Sequence, residues 1–94
     1  IYYDRSIMNT CIRASFECLW EEIEAGIRSD LNGEAADFID EYSLVRESEN
    51  SLVMLCDLKN FKALVSFVHK PAVQEAYNSM GVTLKIYSMR LMER

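Results

Sequence analysis

Ninety-four residues, half of them hydrophobic and 27% charged, with only three Gly and one Pro, exclude a disordered, collagenous or linker-like chain and make a single domain over 1–94. The net charge of −5 is unevenly spread: residues 1–49 hold twelve acids against four bases (−8), and residues 50–94 hold three against six (+3). Nucleic-acid binding draws its affinity from neutralised phosphates, and the bases of the second half are scattered singly, so nucleic acid is not an expected partner.

Ile7–Ala14 alternates with period two. Met8, Thr10, Ile12 and Ala14 form the more apolar face, and Ile7, Asn9, Cys11 and Arg13 form the other, which reads as a strand over 7–14. Ser15 then suits a helix cap, with Glu17 in the first turn, for a helix over 16–31. Its buried stripe is Leu19, Ile23, Ile27 and Leu31, with Phe16 and Trp20 beside it. Asn32-Gly33 reads as the stop, with glycine in the left-handed conformation. Glu34–Asp40 fits either a further helical turn or a loop held down by Phe38 and Ile39.

Residues 42–47 and 51–58 read as two strands of a hairpin joined by the polar turn Glu47-Ser48-Glu49-Asn50. The second runs Leu52-Val53-Met54-Leu55-Cys56 without alternation, so both of its faces should be covered. Asn60 suits a cap for a helix over 61–69, whose Phe61, Leu64, Val65 and Val68 share a face. Pro71 suits the first position of another helix over 71–80, closed by Gly81. Thr83–Met92 reads as the last strand, with Leu84 and Ile86 on one face and Tyr87, Met89 and Leu91 on the other.

Cys11, Cys18 and Cys56 are an odd number without a C-x-x-C pair, so neither a disulfide framework nor a zinc site is expected. The apolar runs are too short to span a bilayer, and no leader-like pattern opens the chain. The expected setting is therefore soluble and cytoplasmic, with no membrane partner.

The order β-α-β-β-α-β predicts an α+β, ferredoxin-like fold: a four-stranded antiparallel sheet with its helices on one face. The bare face, carrying Tyr87, Met89, Leu91 and alternate residues of the 51–58 strand, calls for a second copy packed sheet to sheet. With this order, with the strand-Asp-helix passage LVMLCDLKNFKALVSF and with the ending HKPAVQEAYNSMGV, the chain resembles the dimeric α/β-barrel superfamily, nearest to its small uncharacterised bacterial members. The superfamily also includes cofactor-free monooxygenases, lactone isomerases and haem-degrading enzymes. The resemblance implies a homodimer and leaves the activity open, because no catalytic signature accompanies it.

Candidate site residues are few. His69 is the only histidine, and it reads either as a general base or metal ligand at a barrel mouth or as a capping residue. Glu21, Glu22 and Glu24 decorate a solvent face, and Cys56 reads as packing. The polar minority on the face assigned to the barrel interior is Asn9 and Arg13, Tyr42 and Arg46, and Lys85 and Tyr87. These residues either pair across a dimer or line a small cavity for an anionic or phenolic ligand. Asn9, Arg13, Tyr42, His69, Lys85 and Tyr87 are the expected ligand-binding set, with no metal and no cofactor. The expected function is a small dimeric barrel holding a small organic ligand between sheet and helices. The alternatives are a cofactor-independent monooxygenase or isomerase acting on an aromatic or enol substrate, and an interaction module docking a basic partner on the acidic helix face.

Overall fold

The computed structural model describes residues 8–90 and 92. Strand β1 (Thr10–Ser15) leads into α1 (Trp20–Asn32) and a short 3-10 turn (Glu34–Asp37). The hairpin β2 (Ile39–Ser48) and β3 (Ser51–Leu58) follows, then α2 (Phe61–Val68), α3 (Pro71–Met80) and β4 (Thr83–Ser88). The sheet runs β2-β3-β1-β4 with every neighbouring pair antiparallel, which is the ferredoxin-like α+β arrangement expected from the order of elements.

The core lies between one face of the sheet and the helices. Ile12, Ala14, Leu52, Met54 and Cys56 supply the sheet side, and Ile23, Leu31, Leu64 and Phe67 the helix side. Cys56 is fully enclosed, and burial pushes its thiol up to about 11, so it stays protonated and packs as a small hydrophobe. Asn60 caps α2 by accepting the Ala63 N–H at 3.0 Å, Pro71 opens α3, and Gly81 ends it at φ 65°. These three signals act as the sequence suggests.

Several boundaries differ from the sequence reading, each for a tertiary reason. Ile7 lies outside the described residues, and Met8 and Asn9 precede β1. Ser15 is the last residue of β1, paired with Ser51 and Thr83, rather than a helix cap. Helix α1 starts at Trp20 because residues 16 and 17 are engaged elsewhere. The Phe16 N–H donates to the Asn50 carbonyl, the Glu17 N–H donates to the Met80 carbonyl, and the Asn50 side-chain amide donates to the Phe16 carbonyl. Leu19 occupies the cap position without a side-chain hydrogen bond and is exposed rather than part of the buried stripe. Gly33 ends α1 at φ −114°, not in the left-handed region.

Strand β2 starts at Ile39 because Phe38 and Ile39 are both buried and the Lys59 N–H donates to the Phe38 carbonyl at 2.8 Å. Strand β4 stops at Ser88. The Met89 N–H still donates to the Asn9 carbonyl, and Leu91 lies outside the described residues.

Among the described residues, no helix covers the other sheet face. It presents Cys11, Arg13 and Ser15 of β1, Val53 and Leu55 of β3, Ser43 and Val45 of β2, and Lys85 and Tyr87 of β4, as the registers place them. Val53 and Leu55 are half-buried and Val45 is exposed.

Candidate functional site

A cavity of about 80 Å³ lies between the sheet and the helices. Ile12, Met54 and Ile86 form its floor, and Ile27, Leu64 and Phe67 part of its roof. Its wall is apolar but for two side chains from different helices, Asp30 of α1 and Tyr77 of α3. Both are held inward by helical spacing. Asp30 follows Ile23 and Ile27 on the stripe that ends at Leu31, and Tyr77 stands between Val73 and Met80, which pack on the core. No residue of α3 is fully buried, so this helix packs loosely on the cavity.

Burial raises the Asp30 carboxyl above its ordinary value, and the nearby charge of Glu34 adds to the rise. Burial likewise pushes the Tyr77 phenol up to about 12, with the Asp30 charge as a second cause. The phenol is therefore protonated at neutral pH and available as a donor, beside a carboxylate that is less strongly acidic than usual. Among the described residues, no lysine, arginine or histidine lines the cavity.

The residues singled out from the sequence fall in three places. Arg13, Lys85 and Tyr87 come together on the open sheet face, around a shallow groove of about 250 Å³ shared with Ser15, Glu47, Ser51 and Thr83. There Arg13 donates to both carboxylate oxygens of Glu47, at 2.7 and 2.8 Å, and this hydrogen bonding holds the Glu47 carboxyl below its usual value. Both partners are largely exposed, so solvent and salt weaken the pair.

Tyr42 and Arg46 lie on the opposite, helix side of the sheet, a correction to the face assigned from sequence. Tyr42 pairs with Cys56 and Arg46 with Leu52, both core-facing positions of β3. The Tyr42 hydroxyl accepts from Arg28 at 3.2 Å, and the Arg46 guanidinium lies 5.4 Å from the centre of the Trp20 ring.

Asn9 and His69 make local bonds. The Asn9 side chain donates to the Leu58 carbonyl and accepts from the Leu58 N–H, which splices the start of β1 to the end of β3. His69 Nδ1 sits 2.8 Å from the Val65 carbonyl at the end of α2. A carbonyl can only accept, so Nδ1 carries the proton. Among the described residues, no three His, Cys, Asp or Glu side chains converge as metal ligands would.

No family model matches the sequence, and no curated protein matches it. Solved structures do match. SnoaB, a cofactor-independent oxygenase from Streptomyces nogalater, aligns over 89% of this chain and 93% of its own, with a TM-score of 0.59 at 13% identity. A conserved protein from Methanosarcina mazei Go1 aligns over 88% of this chain and 95% of its own, with a TM-score of 0.52 at 14% identity. A protein from Shewanella oneidensis aligns over 90% and 95%, with a TM-score of 0.50 at 13% identity. The chain shares their fold. At such identities the likeness carries the fold alone. Among the described residues, no helix is long and apolar enough to cross a membrane.

Proposed function

We propose that this protein is a homodimer that binds a small organic molecule in the cavity between its sheet and its helices. The observation that carries the reading is an apolar cavity whose polar wall groups among the described residues, Asp30 and Tyr77, come from two different helices. Such convergence of a few polar groups on an apolar hollow is how small-molecule sites fix orientation. The volume of about 80 Å³ limits the occupant to a compact molecule. A thermal-shift screen of small organic compounds tests the reading. Compact, mainly apolar compounds should raise the melting temperature, and Leu64→Phe, which fills the cavity, should abolish the effect. A screen in which none stabilises the protein refutes it.

The dimer is supported by the open face, where Val45, Val53, Leu55 and Tyr87 have no cover. Sheet-to-sheet packing of two copies would bury a surface of the standard size, roughly 1,200–2,000 Å² in total. The groove around Arg13, Lys85 and Tyr87 would then lie at the interface, with the Arg13–Glu47 pair near its edge. That placement makes Arg13, Lys85 and Tyr87 interface residues first, and ligand contacts only if the groove stays open in the dimer.

A second reading, a cofactor-independent oxygenase, is favoured by the fold likeness to SnoaB and by the raised Asp30 carboxyl, which is better suited to accept a proton than an ordinary aspartate. Oxygen consumption with enolisable or phenolic substrates distinguishes the two. Turnover lost in Asp30→Asn supports the enzyme, and binding without oxygen uptake supports the binding protein.

A further inference from the structure

The open sheet face carries a polar feature of its own, apart from the cavity. The strand registers set its side chains in rows. Ser15 stands opposite both Ser51 and Thr83, a row of three hydroxyls where β1 ends. Arg13 stands opposite Lys85 in the next row, and Cys11 opposite Tyr87 in the row after that. Rows on one face are two residues apart along a strand, about 6.6 Å, and directly opposed side chains start from Cβ atoms about 4.5–5.5 Å apart. Residues of all three rows line the shallow groove of about 250 Å³, together with Glu47.

Like charges directly opposed on one sheet face destabilise the pairing, so Arg13 and Lys85 call for anions. Glu47 answers Arg13, accepting at 2.7 and 2.8 Å from one guanidinium nitrogen, and its carboxylate also lies 3.4 Å from the Ser51 hydroxyl. Among the described residues, Lys85 has no hydrogen bond and no ion pair. Two cations against one carboxylate leave the groove with a positive charge in excess.

We propose that this groove binds a phosphate group, free or carried on a small molecule, between the hydroxyl row and the cation row. Lys85 supplies the charge that nothing else answers, with three N–H donors, and the Ser15 and Thr83 hydroxyls donate from the neighbouring row. A tetrahedral phosphate directs oxygens to both rows at once, and its second charge suits two cations. A carboxylate has two oxygens in one plane and a single charge, so it serves one row at a time. Glu47 repels the phosphate, and its hydrogen bonds to Arg13 reduce that repulsion. The groove is open to solvent, so the affinity is modest and falls with salt. None of this depends on the cavity or on what fills it.

The test is an NMR titration of the full chain with inorganic phosphate, methyl phosphate and acetate, at low ionic strength and mildly alkaline pH, where phosphate is mostly dianionic. Phosphate should shift the backbone amides of residues 13–15 and 83–87, leave those of Leu64 and Phe67 in place, and bind more tightly than acetate. The tighter of the two phosphates tells whether the group is taken free or on a carrier. Lys85→Met should weaken phosphate about fivefold, the upper range for a charge pair open to solvent, whereas Lys62→Met, which removes an equal charge from an exposed position on α2, should not. Ser15→Ala combined with Thr83→Val should reduce the lead of phosphate over acetate. Repeating the titration across a protein dilution series separates a groove closed by dimerisation, where binding strengthens on dilution, from a site that does not exist.

The proposal is overturned if phosphate leaves residues 13–15 and 83–87 unshifted at every protein concentration. It is also overturned if Lys85→Met and Lys62→Met weaken binding alike, or if acetate binds as tightly as phosphate. Each of these results leaves the cavity reading untouched.

Discussion

Leu64→Ala tests the cavity wall by enlarging it. Leu64 is 4% exposed, lines the cavity from α2, and belongs to the main core cluster with Met54 and Phe67. Truncation removes three carbons, a transfer loss of about 2.4 kcal/mol at about 0.8 kcal/mol each. The vacated space joins a hollow that already exists, so neighbouring side chains have little to collapse onto. About 70 Å³ of added void at about 24 cal/mol per Å³ contributes about 1.7 kcal/mol more. The expected cost is about 4 kcal/mol, a large share of the roughly 5–14 kcal/mol that a domain of this length holds.

Urea denaturation followed by far-UV circular dichroism, at one fixed protein concentration, measures it. The enlarged hollow should also accept a larger apolar molecule such as cyclohexane, which at a hundredfold excess over its dissociation constant returns about 2.7 kcal/mol. A cost below about 1 kcal/mol with no rescue by cyclohexane would refute the placement of Leu64 on a cavity wall.

Two glycines should respond oppositely to Ala. Gly81→Ala forces a Cβ to 2.8 Å from the Glu17 side chain at φ 65°, and should cost about 1–2 kcal/mol or more by thermal melting, while Gly26→Ala on α1 meets nothing within 4 Å and should gain up to about 1 kcal/mol. Asp30→Asn should stabilise the protein in a pH-dependent way. The folded carboxyl titrates above the ordinary 3.8, so the wild type loses stability as pH rises from the unfolded value through the raised folded one. The advantage of the variant in melting temperature should therefore be small in acid, grow through that window and then level off, and a constant difference contradicts the assignment. Leu55→Asp places an unpaired carboxylate on the open sheet face, and light scattering over a dilution series should show the variant as a monomer at concentrations where the proposed dimer of the wild type persists. A wild type that is monomeric and soluble at every concentration sinks the sheet-to-sheet dimer.

The fold was legible where local chemistry and tertiary structure agree. The Asn60 cap, Pro71 at a helix start, left-handed Gly81 and the apolar run Leu52–Cys56 each act through the residue's own backbone or burial preference. Phe16 shows why helical spacing overextends the first helix, which begins at Trp20. Its spacing from Trp20 and Ile23 is helical, yet its backbone is claimed by Asn50, some thirty residues away in sequence. Alternation in β2 separated Tyr42 and Arg46 from Ser43 and Val45 correctly, but alternation alone does not say which set faces the helices. Pairing with Cys56 and Leu52 decides that, and register is a property of two strands.

The cavity residues leave only a faint mark in the sequence. Asp30 interrupts an apolar helical stripe and Tyr77 sits within another, but the hollow between them exists only once α1 and α3 cross the sheet.

The central claim is that a small apolar molecule enters between sheet and helices rather than onto the open sheet face. Methyl NMR of the isotope-labelled chain under titration with cyclopentane tests it most directly, because cyclopentane reports only where apolar space is available. The account predicts shifts at Ile12, Leu64 and Ile86, which line the cavity, and none at Val45, Val53 and Leu55. Shifts confined to Val45, Val53 and Leu55 would contradict it.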